Sequence, residues 1–360
     1  MNEKLNALHI VILIHMTQIG VAIFSLPRIC ATHFGTNGWI AILPVGLMVL
    51  ANVALIHAVV RLGGGRSLPD MLGLFLPKPV AGALQLGMSG MYALSACLTS
   101  KQYVLMYELQ SFPATRPYVF RAGIDVLIFC LVIIGIYNLS KAVTVIFFST
   151  MVIPFTLLSL YDETELVRYT PFFLKEGTDV WVGCLELYAA YLGFELSLFL
   201  IPYVGRGTRW FRGVYAANAV TTVIYLILTI IAFGFFSYGQ LRDMLYPLLE
   251  MVGHVQLPII ERVDTLMFTS FFLVALVTAT LYFWIATELF SYVFPKIDKR
   301  WPAAFLIFIT YFVSSIPEEL DLVTGWLRLM GKIAICTAIL LPLLLIGGML
   351  IARARRPKTS

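Results

Sequence analysis

Ten long apolar runs constrain this chain more than any other feature: about 8–27, 38–60, 80–107, 122–139, 142–160, 182–203, 214–237, 264–290, 302–316 and 330–352. A helix that crosses a bilayer needs roughly 20 mostly apolar residues, because the hydrocarbon layer is about 30 Å thick. Backbone amides find no water there, so only helices or closed barrels can span it, and these runs are too long for barrel strands. Composition agrees: 60% of the 360 residues are hydrophobic and only 12% are charged. That balance excludes an ordinary soluble enzyme domain, a disordered tail and a basic nucleic-acid binder. The scattered cysteines Cys30, Cys97, Cys130, Cys184 and Cys336 form no CxxC, which argues against a disulfide scaffold and a structural zinc site. The first run carries Lys4, lacks a small-residue cleavage site and continues to Pro27, so it reads as a span and not a cleaved signal peptide. The expectation is an all-α polytopic membrane protein with ten transmembrane helices.

Lysine and arginine orient it. The tight clusters at 206–212, 296–300 and 353–358 fall on one side when the N-terminus is cytoplasmic. Acidic residues take the other side, in the loop 161–181 (Asp162, Glu163, Glu165, Glu176, Asp179) and at 317–321 (Glu318, Glu319, Asp321). Both termini are therefore expected inside. The acidic segments read as solvated outer loops or a docking surface for an extracytoplasmic partner. The basic tail 353–360 reads as a stop-transfer anchor.

Ten spans divide into two sets of five, and an odd number per set requires a duplicated unit to sit inverted relative to its twin. The repeats are expected at 1–160 and 182–352. Span one reads Gln18-Ile-Gly-Val-Ala-Ile-Phe-Ser-Leu-Pro27, and span six reads Tyr191-Leu-Gly-Phe-Glu-Leu-Ser-Leu-Phe-Leu-Ile-Pro202. Each places a glycine near mid-membrane and a proline some residues later, a pattern that marks an unwound stretch. Backbone groups exposed at such breaks suit a small zwitterion in a cavity and would not be tolerated in lipid.

Glu195 lies in the span-six break, where an ionisable side chain costs about 2.5 kcal/mol or more on insertion scales, so it either contacts ligand or proton or bonds to unwound backbone. Glu186 reads as interfacial, Glu288 as snorkelling or pairing with Lys296, and Lys101 as bridging toward Glu108 or snorkelling. A polar stripe in span three (Tyr92, Ser95, Thr99, Gln102, Tyr103, with small Ala96) has a counterpart in its repeat equivalent, span eight (Thr278, Thr280, Tyr282); such residues serve either helix packing or ligand. His15 and His57 read as packed, hydrogen-bonded residues. No catalytic triad, phosphate loop or paired catalytic carboxylates can be assembled, so no enzyme, cofactor or metal is expected. The segment 239–263 reads as a short outer or re-entrant helix over the site.

Gly193-Phe194-Glu195 in a broken sixth span, with Gly20 through Pro27 in the first, resembles the amino acid–polyamine–organocation permease superfamily. Within it, the chain is most similar to the B subunits of spore germinant receptors. The ten spans, the Leu26-Pro27-Arg28 exit, the Gly38-Trp39 entry to span two and the segment Pro258-Ile-Ile-Glu261-Arg262-Val263-Asp264 carry that similarity. The resemblance implies a transporter-like nutrient sensor in the spore's inner membrane, acting with a larger A subunit and a lipoprotein C subunit. It implies a pocket built from Gly20, Val21 and Ala22; Tyr92 and Ala96; Tyr191, Gly193, Phe194 and Glu195; and Thr278 and Thr280. Backbone amides of spans one and six would hold the carboxylate of an amino acid or similar nutrient, and small residues at 22 and 96 would set its size. Span five lacks the lysine of some proton-coupled relatives, and spans one and eight offer no acid for a sodium site. The alternative is an amino-acid symporter with Glu195 as proton carrier.

Overall fold

The computed structural model describes residues 4–110, 117–170, 175–205, 209–255 and 263–354. Helix α1 (Ala7–Gln18) starts where the Asn6 side chain accepts the His9 amide, 2.8 Å away. It stops at Gly20, a short 3-10 turn follows over Val21–Ser25, and α2 (Leu26–Phe34) continues with Pro27 in its first turn. The two arms of this first span meet at a bend of 51°. The chain then runs through α3 (Ile42–Gly63), the short α4 (Leu68–Leu72), α5 (Lys78–Gln110) and α6 (Pro117–Ile133). Helices α7 (Ile136–Thr150) and α8 (Val152–Leu158) complete the first half.

Helix α9 (Val180–Ala190) is capped by Asp179, whose carboxylate accepts the Trp181 and Val182 amides at 2.9 and 3.1 Å. It breaks at Tyr191 and resumes as α10 (Leu196–Leu200), so the sixth span is broken like the first. The second half goes on through α11 (Arg212–Phe235), α12 (Tyr238–Asp243), α13 (Pro247–His254), α14 (Val263–Val293), α15 (Arg300–Val313) and α16 (Leu320–Ala354).

Among the described residues, five helical stretches are long and apolar enough to cross a membrane by themselves: Gly38–Gly63, Ile136–Glu163, Arg209–Phe235, Leu266–Val293 and Leu320–Ala354. The bent pair of span one makes a sixth. The other expected runs also fall on helices. These are α5, interrupted by polar residues; the shorter α6 and α15; and the broken α9–α10. The chain is an integral membrane protein.

Which helices pack together repeats between the halves. The first span's α1 packs on α11 and α7, and the sixth span's α9 packs on their equivalents α3 and α16. Likewise α5 packs on α6, α15 and α16, while α14 packs on α15, α6 and α7; α5 and α14 lie against each other. Exchanging each span with the one five later maps one set of contacts onto the other, as a five-plus-five repeat requires. Ser89 fixes the central pair by donating to the Ala286 carbonyl, 2.7 Å away.

Three boundaries differ from the sequence reading. Helix α16 begins ten residues before the apolar run does, so Asp321 stands in its first turn and Arg328 is helical, two residues before the run. Helix α6 starts at Pro117, which takes Arg121 out of the outer loop and buries it. The segment 239–263 holds two short helices, α12 and α13, and residues 256–262, including Glu261 and Arg262, lie outside the described residues. So do 355–360 of the basic tail; Arg353 just before them donates to the Leu62 carbonyl at 2.8 Å, placing a cation at the C-terminus of α3.

Candidate functional site

The two breaks touch each other. Gly193 has φ +129°, in the region that favours glycine, and a Cβ there would lie 3.0 Å from the Gln18 nitrogen and from atoms of Thr17. Both the conformation and the close approach demand glycine. Each break strands carbonyl groups at the end of a helix, and a buried carbonyl without a partner is costly. Side chains from the neighbouring spans satisfy them. The Tyr225 hydroxyl donates to the Gln18 carbonyl at 2.7 Å and lies 2.9 Å from that of Ala190, bridging the ends of α1 and α9. Gln18 Nε2 donates to the Tyr191 carbonyl (2.9 Å) and to Asn218 Oδ1 (3.0 Å), and Gln18 Oε1 accepts from Thr221 (2.8 Å). His15 Nδ1 sits 2.9 Å from the same threonine hydroxyl. Thr278 on α14 donates to the Met16 carbonyl at 3.1 Å.

A cavity of about 810 Å³ opens from these breaks. Of the residues expected in the pocket, Gly20, Val21, Ala22, Tyr92, Glu195 and Thr278 line it. Ala96, Tyr191, Phe194 and Thr280 are fully buried and lie off its wall, as does Gly193. They pack behind it: Tyr191 stacks edge-on to Tyr225, and Phe194 to Tyr188. The wall also includes Gln18, Ser25, Ser95, Thr99 and Tyr282.

Glu195 is 3% exposed. Its Oε2 accepts the Gly193 amide at 2.7 Å, so the span-six amide expected to meet a ligand carboxylate is engaged within the chain. Its Oε1 has no hydrogen-bond partner. The phenols of Tyr92, Tyr188 and Tyr282 stand close enough to feel its charge.

Toward the outer side the cavity is rimmed by charge. Glu186 on α9 receives His33 of α2 (3.4 Å) and Arg328 of α16 (3.2 Å), and Arg28, Asp321, Lys332 and Tyr246 complete the rim. Glu186 is thus a three-span junction. The inner side is closed: Leu5 pairs with Val204 as an isolated β-bridge, its amide donating to the Tyr203 carbonyl at 3.0 Å. Tyr203 and Lys299 both donate to Glu288, at 2.9 and 2.5 Å, so the partner of Glu288 is Lys299 and not Lys296. No residue of this inner cluster lines the cavity.

A second buried ionic group escaped the sequence reading. Asp125 lies 3.7 Å from Arg121 on α6; Arg121 donates to Cys97, and Lys101 donates to the Ser314 carbonyl at 2.5 Å instead of bridging toward Glu108. An Arg–Asp pair four residues apart, Asp125 of it inside an apolar run, was the available signal. The Gln18, Asn218 and Thr221 network was also missed, because the polar residues that seal a break lie some 200 positions apart in sequence. His15 and His57 are packed and bonded, the latter stacked on Phe211 and 3.3 Å from the Tyr215 hydroxyl.

A family model described as spore germination protein matches residues 4–323. The chain belongs to the spore germination protein family. Among curated relatives, Spore germination protein GerLB of Bacillus cereus is 23% identical over 362 residues, covering 96% of this chain and 94% of that protein. Spore germination protein GerQB of the same organism is 25% identical, covering 75% of each chain. Spore germination protein B2 of Bacillus subtilis (strain 168) is 23% identical over 73% of this chain and 72% of its own length. In fold, the chain is similar to MhsT, solved in complex with L-phenylalanine: TM-score 0.68 and 13% identity, over 100% of this chain and 94% of that one. It is also similar to a manganese transporter from Eremococcus coleocola, with TM-score 0.61 and 11% identity over 95% of this chain and 77% of that one. The member of this family described here therefore has a transporter-like fold, as its two broken spans led us to expect.

Proposed function

We propose that this chain is the nutrient-sensing B subunit of a spore germinant receptor. It binds an amino acid or similar small molecule in the cavity at the two helix breaks. We place it in the spore's inner membrane, acting with an A subunit and a lipoprotein C subunit, and read it as a binding protein with no catalytic role. The observation that carries this reading is a cavity closed on the inner side and bounded by both breaks, in a chain whose relatives are named for spore germination. A ligand that binds one arrangement of the broken spans better than another shifts the population toward it, which is all a sensor requires. Gly20, Val21, Ala22, Tyr92, Glu195 and Thr278 form the ligand-facing set on this reading; Ala96, Tyr191, Gly193, Phe194 and Thr280 support it from behind.

The test is equilibrium binding and radiolabelled amino-acid uptake on one preparation of the purified chain in proteoliposomes. Saturable binding without concentrative uptake is the expected result. Coupled uptake driven by a pH gradient would make the chain a symporter, with Glu195 as its proton carrier.

A further inference from the structure

At the cavity's outer rim, Glu186 holds His33 and Arg328, and Arg28 donates to the Arg242 carbonyl at 3.3 Å. Glu195 differs from them. It lines the cavity beside the two breaks, it is buried, no ion pair reaches it among the described residues, and one of its oxygens has no partner. Its environment is aromatic, with Tyr92 and Tyr282 also on the cavity wall and Phe199 edge-on to Tyr92. Half of this carboxylate has a structural task, holding the Gly193 amide and thereby the span-six break. The other half has none.

A buried carboxylate oxygen without a donor is costly unless a donor or a cation arrives. Such a site is matched by a group with several N–H donors and a positive charge, small enough to enter between aromatic rings. We propose that Glu195 Oε1 receives the ammonium group of the ligand, so that the chain recognises small primary amines and amino acids and ignores the corresponding carboxylic acids that lack the amine. The inference rests on the reading of this cavity as the nutrient site and adds the chemical class it takes. It assigns the two oxygens of one side chain separate duties: Oε2 shapes the break and Oε1 reads the ligand. Ligand arrival then acts on the same side chain that holds span six in its broken form, which couples occupancy to the helix that must move.

The neutral alternative is a carboxyl that keeps its own proton and donates it to an acceptor on the ligand. Ligand chemistry separates the two. The purified chain in detergent is titrated calorimetrically with each of the twenty standard amino acids. The tightest binder is then compared with its decarboxylated amine and with its desamino acid. The expected result is that the amine binds and competes with the amino acid, whereas the acid does neither. In Glu195→Gln, which keeps an acceptor for the Gly193 amide, affinity for the amino acid and the amine should fall about tenfold or more. Competition by the acid but not by the amine overturns the inference and leaves the cavity reading standing, and so does undiminished affinity in a folded Glu195→Gln chain. Where that variant does not fold, the analogue series on the unaltered chain decides by itself. Binding of none of the twenty would overturn the cavity reading and the inference with it.

Discussion

A glycine and a tyrosine illustrate how single residues hold this fold. Gly193 is in the glycine-favouring region and its missing Cβ is where the backbone of Thr17 and Gln18 passes. Gly193→Ala should therefore carry both a backbone penalty of about 1–3 kcal/mol and overpacking of similar size. Fluorescence-detected size-exclusion chromatography should show loss of the monodisperse peak, while Gly87→Ala, whose added Cβ meets nothing, should leave it unchanged. Tyr225→Phe removes the hydroxyl that bridges the ends of α1 and α9. It should lower stability by about 1–3 kcal/mol, read as a lower melting temperature, because the buried Gln18 carbonyl loses its donor. The two small residues expected to set pocket size separate here. Ala22 lines the cavity, whereas Ala96 is fully buried off its wall. Ala22→Leu should change which amino acids bind with little effect on abundance, and Ala96→Leu should reduce abundance, as Western blots of membranes would show.

At the scale of elements, the inner ends are tied by polar latches that helical periodicity does not announce. Tyr203, Glu288 and Lys299 join the end of span six to α14 and to the residue before α15. Glu288→Gln should loosen this closure, raising the rate at which a membrane-impermeant maleimide labels Val204→Cys from the inner side in a cysteine-free background. An unchanged rate would show that the latch is not what closes the inner end. A second tie joins α4 to α14. Burial works to raise the Asp70 carboxyl, but donation from the Ser67 and Tyr292 hydroxyls and the charge of Arg66 bring it below the ordinary carboxylate range. The folded state thus holds its proton less tightly than the unfolded one. The stability this adds is present at neutral pH and lost as pH falls below about 4 and through the lowered value. Melting temperature should therefore drop more steeply between neutral and acid pH in the original chain than in Asp70→Asn.

At the scale of the whole molecule, charge asymmetry and packing symmetry make separate demands. The distribution of lysine and arginine predicts that the 296–300 cluster lies inside and the acidic 161–181 loop outside. Cysteines substituted for Lys296 and Thr178 should accordingly be labelled from opposite faces of sealed vesicles. Helices α5 and α14 pack against each other and form a wall common to both halves, so any rearrangement of one half against the other would act on that wall. Glu186, which joins α2, α9 and α16 across the cavity's outer rim, spans the gap that such a rearrangement would change.

The linear chain fixed the membrane class, the helical architecture, the paired halves and the two breaks. Those depend on run length, apolar content and glycine–proline spacing, which are local quantities that the bilayer reads directly. The same information named residues around the cavity but could not sort them into wall and support: Ala96, Tyr191, Phe194 and Thr280 share the character and spacing of residues that line the cavity, yet lie buried off its wall. Nor could it find the partners of Gln18, the burial of Arg121 with Asp125, or the early start of α16. Those features arise where helices distant in sequence meet, and inside a membrane any polar group must find whichever partner the packing brings. The tertiary structure alone decided that one oxygen of Glu195 holds the Gly193 amide at the break while the other has no hydrogen-bond partner.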